Sequence, residues 1–165
     1  MLDEHFIISL LGKLEITAEL RDWEVLELAK GVTVGEYAAD TYLCRPNEIA
    51  FGDSLAILVE GEAEAFTSSN NETTRLAQLK AGDLVGVITF IGGNPSQISA
   101  TVIARTNCKI LLISRAFFEK LQASQPAIVY FVMRGIVRQL HGVARHMSAH
   151  AVDLQNYIYH VNVRG

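Results

Sequence analysis

The sequence predicts a mainly β domain flanked by helices, because the residue pattern changes twice along the 165 residues. Apolar residues recur at helical spacing before Gly31 and again after Ser114. Between Val32 and about Ile113, short apolar stretches alternate with Gly, Asn and Asp, which is typical of a compact all-β unit. Strands at this spacing favour a sandwich, roll or jelly roll over βαβ units.

The N-terminal part predicts a short helix with one apolar face. Thr17 is expected to cap this helix and Gly31 to end it. An earlier apolar segment, Phe6 to Leu11, adds another turn or two before Gly12. The positions expected on the apolar face are Leu20, Trp23, Leu26 and Ala29.

The central part, from Val32 to Ser114, contains five strands that the sequence locates. An Asn70-Asn71 turn separates the second strand from the third. The predicted strands are Leu55 to Val59, Glu62 to Phe66, Thr73 to Leu79, Ile98 to Ala104, and Lys109 to Ser114.

Two helices are expected after the strands. Ala116 to Leu121 is helical in character, and Pro126 occupies the first turn of a longer helix. Because the apolar stripe on that longer helix is too long to pack on a small β unit, it predicts a homodimer. The final stretch, Asn156 to Val163, alternates and predicts a terminal strand or a disordered tail. The stripe consists of Ile128, Val132, Ile136, Leu140, Val143 and Met147.

Charge and composition argue against several classes of partner. Fourteen Lys and Arg against eighteen Asp and Glu give a net charge of −4, which disfavours binding to nucleic acid or to an anionic membrane. Apolar runs are far shorter than the about 20 residues of a membrane-spanning helix, and acids stand where a signal peptide has a positive region. A cytosolic protein is expected. Cys44 and Cys108 lack CxxC spacing and are expected to be reduced, buried thiols.

No catalytic or metal site is expected. His146 and His150 form an i, i+4 pair, but no third ligand lies near them in the sequence. Asp83 follows Gly82 and suits a turn better than a catalytic acid. The Gly-rich region lacks the Gly-Lys-Ser/Thr of a phosphate-binding P-loop. We therefore expect neither an enzyme nor a resident cofactor.

Several motifs in order resemble the cyclic nucleotide-binding domain of catabolite-activator proteins and kinase regulatory subunits. The resemblance implies a double-stranded β-helix, that is, a jelly-roll-like β-roll at about 32–114. An N-terminal helix precedes this roll, and helices at about 115–150 include a long dimerisation helix. The motifs are Leu55 to Ala63, similar to a strand ending in "I-x-x-G-x-V"; Leu76 to Gly86, similar to "L-x-x-L-x-x-G-D-x-F-G"; Ser99 to Ala104, matching "S-A-T-V-x-A"; and Val137 to Leu140, similar to "A-R-R-L".

The resemblance also implies a ligand site, and this sequence departs from it at two charged positions. In that family a Glu accepts from the ribose and an Arg pairs with the cyclic phosphate. Here Val87 and Ile98 occupy those positions, and no Lys or Arg lies between Ala81 and Ala104. Val143 and Ala144 stand where one branch of the family has a hydroxyl pair facing the adenine, as a lid. The other pocket residues implied by the resemblance are Gly86, Ile88, Thr89, Ser96, Gln97, Ser99 and Ala100.

The sequence therefore predicts a sensor or regulatory module that does not bind cAMP or cGMP tightly. Weak binding through backbone and hydroxyl groups, or a less anionic ligand, are the alternatives. A transcription factor is a rival, but only eighteen residues follow Met147, so no DNA-reading module is expected. An enzyme of the related cupin barrel class is another, but the β region contains no His to bind a metal.

Overall fold

A computed structural model describes residues 4–69, 72–92 and 100–162, without the side chains of residues 50, 69, 72, 88, 89 and 146–162. Three helical segments come first. They are helix α1 (Glu4–Leu11), a 3-10 turn (Glu15–Thr17) and helix α2 (Asp22–Ala29). No helix in the described ranges is both long and apolar enough to cross a membrane.

Two details of the N-terminal segment differ from the sequence prediction. Thr17 does not cap α2, because its hydroxyl donates to the backbone oxygens of Leu11 and Leu14 and closes the 3-10 turn. The carboxylate of Glu24 instead accepts from the backbone N–H of Arg21, the residue before α2, at 2.7 Å. The predicted apolar face is wrong at Trp23 and Leu26, which are 44% and 43% exposed, while Ala29 is buried as predicted. The other buried apolar residues of α2 are Val25 and Leu28.

In the described part of the chain, eight strands form the β-roll, which confirms the predicted fold class. One sheet has the order β1-β8-β3-β6 and the other β2-β7-β4-β5. All paired strands are antiparallel. Their bounds are β1 (Val32–Tyr37), β2 (Tyr42–Cys44), β3 (Ser54–Glu60), β4 (Ala63–Ser69), β5 (Glu72–Leu79), β6 (Leu84–Val85), β7 (Ala100–Ala104) and β8 (Cys108–Ser114). A 3-10 turn (Ala50–Gly52) precedes β3, and a short helix α3 (Val87–Phe90) follows β6.

The sheet that contains β8 is buried on both faces, and alternate residues of β8 enter two different cores. Leu111 and Ile113 pack with the helices outside the roll. Cys108 and Ile110 pack inside the roll, together with Cys44. Both cysteines are free and buried, as predicted. Burial raises the pKa of the Cys44 thiol to about 12 and raises that of Cys108 as well.

Two helices follow the roll, as the sequence predicts. Helix α4 (Arg115–Ser124) begins at Ser114, whose hydroxyl accepts from the backbone N–H of Phe117 at 3.3 Å. Helix α5 (Pro126–Asn162) is 37 residues long. The predicted terminal strand or tail from Asn156 is therefore wrong up to Asn162, and Val163 lies outside the described residues. Ile158 and Val161 also have helical spacing, which the alternation of apolar residues concealed.

The first half of the apolar stripe on α5 belongs to the core of the chain itself. Ile128, Val132 and Ile136 are fully buried against the N-terminal helices and the outer face of the roll, and Leu140 is partly buried there. Their assignment to a dimer interface is therefore corrected, because a residue buried within one chain cannot also face a second. Met147, the last residue of the stripe, has its side chain outside the described residues.

The centre of α5 is held against the 3-10 turn near the N-terminus by a close contact and by charges. A Cβ atom placed on Gly135 would lie only 2.6 Å from Cα of Ile16, so glycine is what allows the helix to approach the turn. Glu19 lies beside the same part of α5, with its Oε1 atom 2.6 Å from Nη2 of Arg138 and 3.5 Å from Nε of Arg134.

Candidate ligand-binding cassette

The region that the resemblance assigns to the ligand begins at Gly86, where the chain turns from β6 into α3. Gly86 has a φ of 62°, which a glycine adopts without strain. Val87 is the first residue of α3 and Phe90 the last, and both are buried in the core shared with the N-terminal helices and α5. The position of the family's ribose acceptor is thus held by a buried apolar side chain.

The end of α3 is tied to the boundary between β8 and α4 by Arg115. Its Nη2 atom donates to the backbone oxygen of Phe90 at 2.5 Å. The same guanidinium pairs with both carboxylate oxygens of Asp53, at 2.5 and 2.9 Å, and this pairing lowers the pKa of Asp53. The Phe90 ring also meets that of Phe118 on α4, with 5.2 Å between centroids. Sequence reasoning missed Asp53, which is 62 residues from Arg115 and gives no local signal.

The turn before the cassette is held by backbone bonds and by Asp83. Gly82 has a φ of 100° and its N–H donates to the oxygen of Leu58 at 2.7 Å. The carboxylate of Asp83 accepts from the backbone N–H of Lys80 at 2.8 Å, which is the turn role that the sequence indicates. Helix α5 reaches the same turn, because Nε2 of Gln139 donates to the backbone oxygen of Gly82 at 2.9 Å.

Arg45 and Arg105, two arginines of the roll that lie outside the cassette, have contacts elsewhere in the roll. Nε of Arg105 lies 2.6 Å from a carboxylate oxygen of Glu64, and its guanidinium lies over the ring of Phe66. The guanidinium of Arg45 lies over the Tyr42 ring, 4.6 Å from the centroid. Both of these arginines therefore have contacts within the roll.

The structure places some of the predicted site residues and leaves others undescribed. Ala100 is the first residue of β7, half-buried and paired with Thr67 of β4. Val143 and Ala144 are exposed on α5, and their role as a lid stays a prediction. Four residues, Ser96, Gln97, Ile98 and Ser99, lie outside the described residues, as do the side chains of Ile88 and Thr89, whose backbone is in α3.

A cleft of about 380 Å³ lies at the other end of β3 and β8 from the cassette. Nζ of Lys109 is 2.7 Å from a carboxylate oxygen of Glu60 there, and Glu36 is the third charged residue of the lining. Among the residues described, no group of three His, Cys, Asp or Glu could hold a metal ion. The cleft is lined by Glu36, Tyr37, Ala38, Glu60, Asn107, Cys108 and Lys109.

Comparison with known families identifies the class of protein. Residues 34–125, more than half of the chain, match the model of the cyclic nucleotide-binding domain, so the chain belongs to that family. It is a domain of the regulatory, sensor kind. This confirms the resemblance deduced from the motifs. No curated protein matches the chain.

Solved structures share the fold at low sequence identity. A cyclic nucleotide-binding domain from Methylobacillus flagellatus KT is 20% identical with a TM-score of 0.78, over 91% of this chain and 83% of that one. The N-terminal domain of a transcriptional regulator from Streptomyces coelicolor A3(2) is 22% identical with a TM-score of 0.66, over 81% and 93%. The regulatory subunit of a cAMP-independent protein kinase A from Trypanosoma cruzi, bound to guanosine, is 24% identical with a TM-score of 0.60, over 78% of this chain and 48% of that one.

Proposed function

We propose that this domain is a non-catalytic regulatory sensor that does not bind cAMP or cGMP tightly. The observation that carries the proposal is the position of Val87, buried in the core at the start of α3, in a segment with no Lys or Arg from Ala81 to Ala104. The buried, free thiols of Cys44 and Cys108 suit the reducing cytosol, where we place the domain.

The physical argument rests on the charge of the ligand. A cyclic phosphate keeps a full negative charge, and burying that charge without a counter-charge is costly. A hydrogen bond to a charged group contributes about 1.5–3 kcal/mol, so losing the cation together with the ribose acceptor lowers the affinity by about two to four decades. Arg105 and Arg115 do not replace the cation, since their guanidinium groups pair with Glu64 and Asp53.

Calorimetric titration tests the proposal directly. We expect both cyclic nucleotides to bind the unmodified domain with a Kd no tighter than about 100 μM. A 1 μM site would correspond to a binding free energy of about −8.2 kcal/mol. Ile98→Arg, alone and with Val87→Glu, should tighten cAMP binding by restoring the family's charges. Leu76→Arg adds the same charge on β5, outside the cassette, and should not. Micromolar binding by the unmodified domain would contradict the proposal.

A second candidate ligand for the cassette is an uncharged nucleoside. Two observations favour it: the sequence from Gly92 to Gln97 offers hydroxyl and amide groups but no cation, and a domain of this fold from Trypanosoma cruzi is bound to guanosine. A rise in Tm with guanosine or adenosine, but not with cAMP or cGMP, would support this ligand class. Equal shifts with nucleosides and cyclic nucleotides would argue that the missing charges do not select the ligand.

The domain is also proposed to form a homodimer through α5, by a face that excludes the buried residues Ile128, Val132 and Ile136 of the predicted stripe. Tyr130 and Val137 are 60% and 62% exposed, and Val143 is exposed as well. Apolar residues recur along this helix at the spacing of a two-stranded coiled coil. One series is Tyr130, Val137, Ala144, Ala151 and Ile158, and the other, beyond Met133 and Leu140, which pack in the chain's own core, is Met147, Leu154 and Val161.

Light scattering after gel filtration measures this assembly. We expect a species of about twice the chain mass of 18.1 kDa for the unmodified protein. Val137→Asp should give a folded monomer, because it places a charge in the proposed interface without touching the core. Gln122→Asp, on the exposed face of α4, is the matched control and should remain dimeric. A monomeric unmodified protein at micromolar concentration would rule the dimer out.

A further inference from the structure

The cleft at the far end of β3 and β8 is bounded by three turns that are bonded to one another. The backbone N–H of Arg105 donates to the oxygen of Glu62 at 2.8 Å, and the N–H of Glu62 donates to Oγ1 of Thr106 at 2.9 Å. The side-chain oxygen of Asn107 accepts from the backbone N–H of Ala39 at 3.1 Å. These bonds join the turns that follow β1, β3 and β7, so the walls of the cleft are fixed before a ligand arrives.

One wall of this cleft carries three charged side chains in a row across three neighbouring strands. Lys109 of β8 is in register with Glu36 of β1 on one side and with Glu60 of β3 on the other. Lys109 shares a face of the sheet with Leu111, two residues further along β8, which is buried against the helices. The order of the charges along the wall is therefore negative, positive, negative.

The row of charges keeps hydrogen-bonding capacity for a ligand. Nζ of Lys109 is 2.7 Å from a carboxylate oxygen of Glu60, which occupies one of the three N–H donors of the ammonium group. The hydrogen bond to Glu60 raises the pKa of Lys109, and the nearby charge of Glu36 raises it as well, so the ammonium is charged at neutral pH. Within the ranges that the structure describes, neither the Glu36 carboxylate nor the amide nitrogen of Asn107 has a partner.

The spacing and the order of the charges define the ligand that fits this wall. Neighbouring strands lie about 4.8 Å apart, so Glu36 and Glu60 are separated by about 10 Å across the strand of Lys109. A complementary ligand needs a cationic group near each end and an anionic group that reaches the middle. Two carboxylates and one ammonium give the wall a net charge of −1, which disfavours anions such as cyclic nucleotides. The cleft volume of about 380 Å³ is within the range of about 300–1,000 Å³ for small-molecule sites.

We propose that the cleft binds a free amino acid with a basic side chain, such as lysine or arginine. The two cations of this ligand pair with Glu36 and Glu60, while its carboxylate accepts from Lys109 and from the side-chain amide of Asn107. A diamine lacks the anion that Lys109 would bind, and a neutral amino acid lacks the second cation. The site is formed by β1, β3, β8 and the turn before β8, so it is independent of the ligand proposed for the cassette.

An NMR titration with ligands that each lack one charge tests the proposal. L-Lysine carries all three charged groups, L-norleucine lacks the side-chain cation, and cadaverine lacks the carboxylate. Nα-Acetyl-L-lysine amide lacks both charges at its α-carbon and represents a lysine side chain of a partner protein. Because exposed ion pairs are weak, we expect L-lysine to bind with a Kd of about 1 mM and each missing charge to weaken binding about two- to fivefold.

The variant Lys109→Met probes the carboxylate, and Lys120→Met, exposed on α4, is the matched control. We expect Lys109→Met to remove the preference for L-lysine over cadaverine and Lys120→Met to keep it. A preference that survives in Lys109→Met would overturn the proposal. The ligand series on the unmodified chain decides the question even if Lys109→Met proves unstable.

Three results with the unmodified chain would also overturn the proposal. The first is equal binding of L-lysine and cadaverine, because the carboxylate would then have no role. The second is binding of the acetylated amide as tight as that of L-lysine, which would assign the cleft to a lysine of a partner protein. The third is the absence of any L-lysine-dependent shift in the amide signals of Asn107 and Lys109.

Discussion

Replacing Gly135 by alanine tests whether α5 is fixed to the N-terminal turn by close backbone contact. The added Cβ would lie 2.6 Å from Cα, 2.9 Å from O and 3.1 Å from C of Ile16, and backbone atoms cannot rotate away as a side chain can. Overpacking of this kind costs about 1–3 kcal/mol, while alanine gains about 1 kcal/mol in helix propensity over glycine. Because the contacted atoms are backbone, the cost should fall in the upper part of that range, about 2–3 kcal/mol, so Gly135→Ala should lower the free energy of unfolding by about 1–2 kcal/mol.

Gly142→Ala is the matched control in the same helix. A Cβ at Gly142 would meet nothing within 4 Å, so only the gain of about 1 kcal/mol in propensity applies. Urea unfolding at one protein concentration should rank Gly142→Ala above the unmodified chain and Gly135→Ala below it. The two variants should differ by about 2–3 kcal/mol, which corresponds to about 4–12 °C in Tm at about 2–4 °C per kcal/mol for a chain of this size. If both substitutions stabilise equally, α5 does not contact the 3-10 turn in solution.

Three further outcomes follow from the structure. The Arg115 guanidinium holds the pKa of Asp53 below its ordinary value of about 3.9, so the pair stabilises the fold above that pH and loses its effect as the pH falls through the lowered pKa. Asp53→Asn should therefore flatten the acid side of a curve of unfolding free energy against pH. An unchanged acid side would show that the ion pair does not form in solution. Cys44 and Cys108 should resist iodoacetamide in the folded chain and react once it is unfolded, because burial raises both thiol pKa values; rapid labelling of the native chain would contradict their burial. Ile136→Ala should lower the free energy of unfolding by about 2–5 kcal/mol in urea titration, because it leaves a cavity at a fully buried position. A loss under about 1 kcal/mol would show that Ile136 is not part of the core.

Local patterns in the sequence predicted five of the strands of the roll and the start of α5, but not β1, β2 or β6. Strand β3 has a run of apolar residues because it is buried on both faces. Pro126 marks the first turn of α5. These signals are local, since turn residues and residue periodicity act within a few positions. The family motifs added the order of the elements, which periodicity alone does not give.

What the sequence could not supply was the choice among apolar faces. Trp23 and Leu26 have the right spacing for a buried face, but α2 turns its other apolar residues, Val25 and Leu28, to the core. The apolar stripe on α5 posed the same problem, for example at Ile136, because spacing marks a buried face without saying whether the same chain or another one covers it.

The pairing of Asp53 with Arg115 was likewise invisible in the sequence, as was the contact of Gln139 with Gly82. Each joins residues more than fifty positions apart, and neither residue type is unusual for a surface. The missing charges at Val87 and Ile98 could be noticed only because a family pattern states what stands there. The sequence thus reveals the departure from the family pattern, and the fold adds the long-range contacts of Asp53 and Gln139.

A tilt of α5 about the close contact at Gly135 would be magnified along the helix. From Gly135 to Asn162 the helix rises by about 1.5 Å per residue, which gives an arm of about 40 Å beyond the point of contact. On an arm of that length, a tilt of about 10° at Gly135 moves the far end by about 7 Å. Gln139 lies one turn beyond the pivot, where a displacement of roughly 1 Å corresponds to the same tilt. A small movement beside the cassette therefore becomes a large one at the tip of the helix.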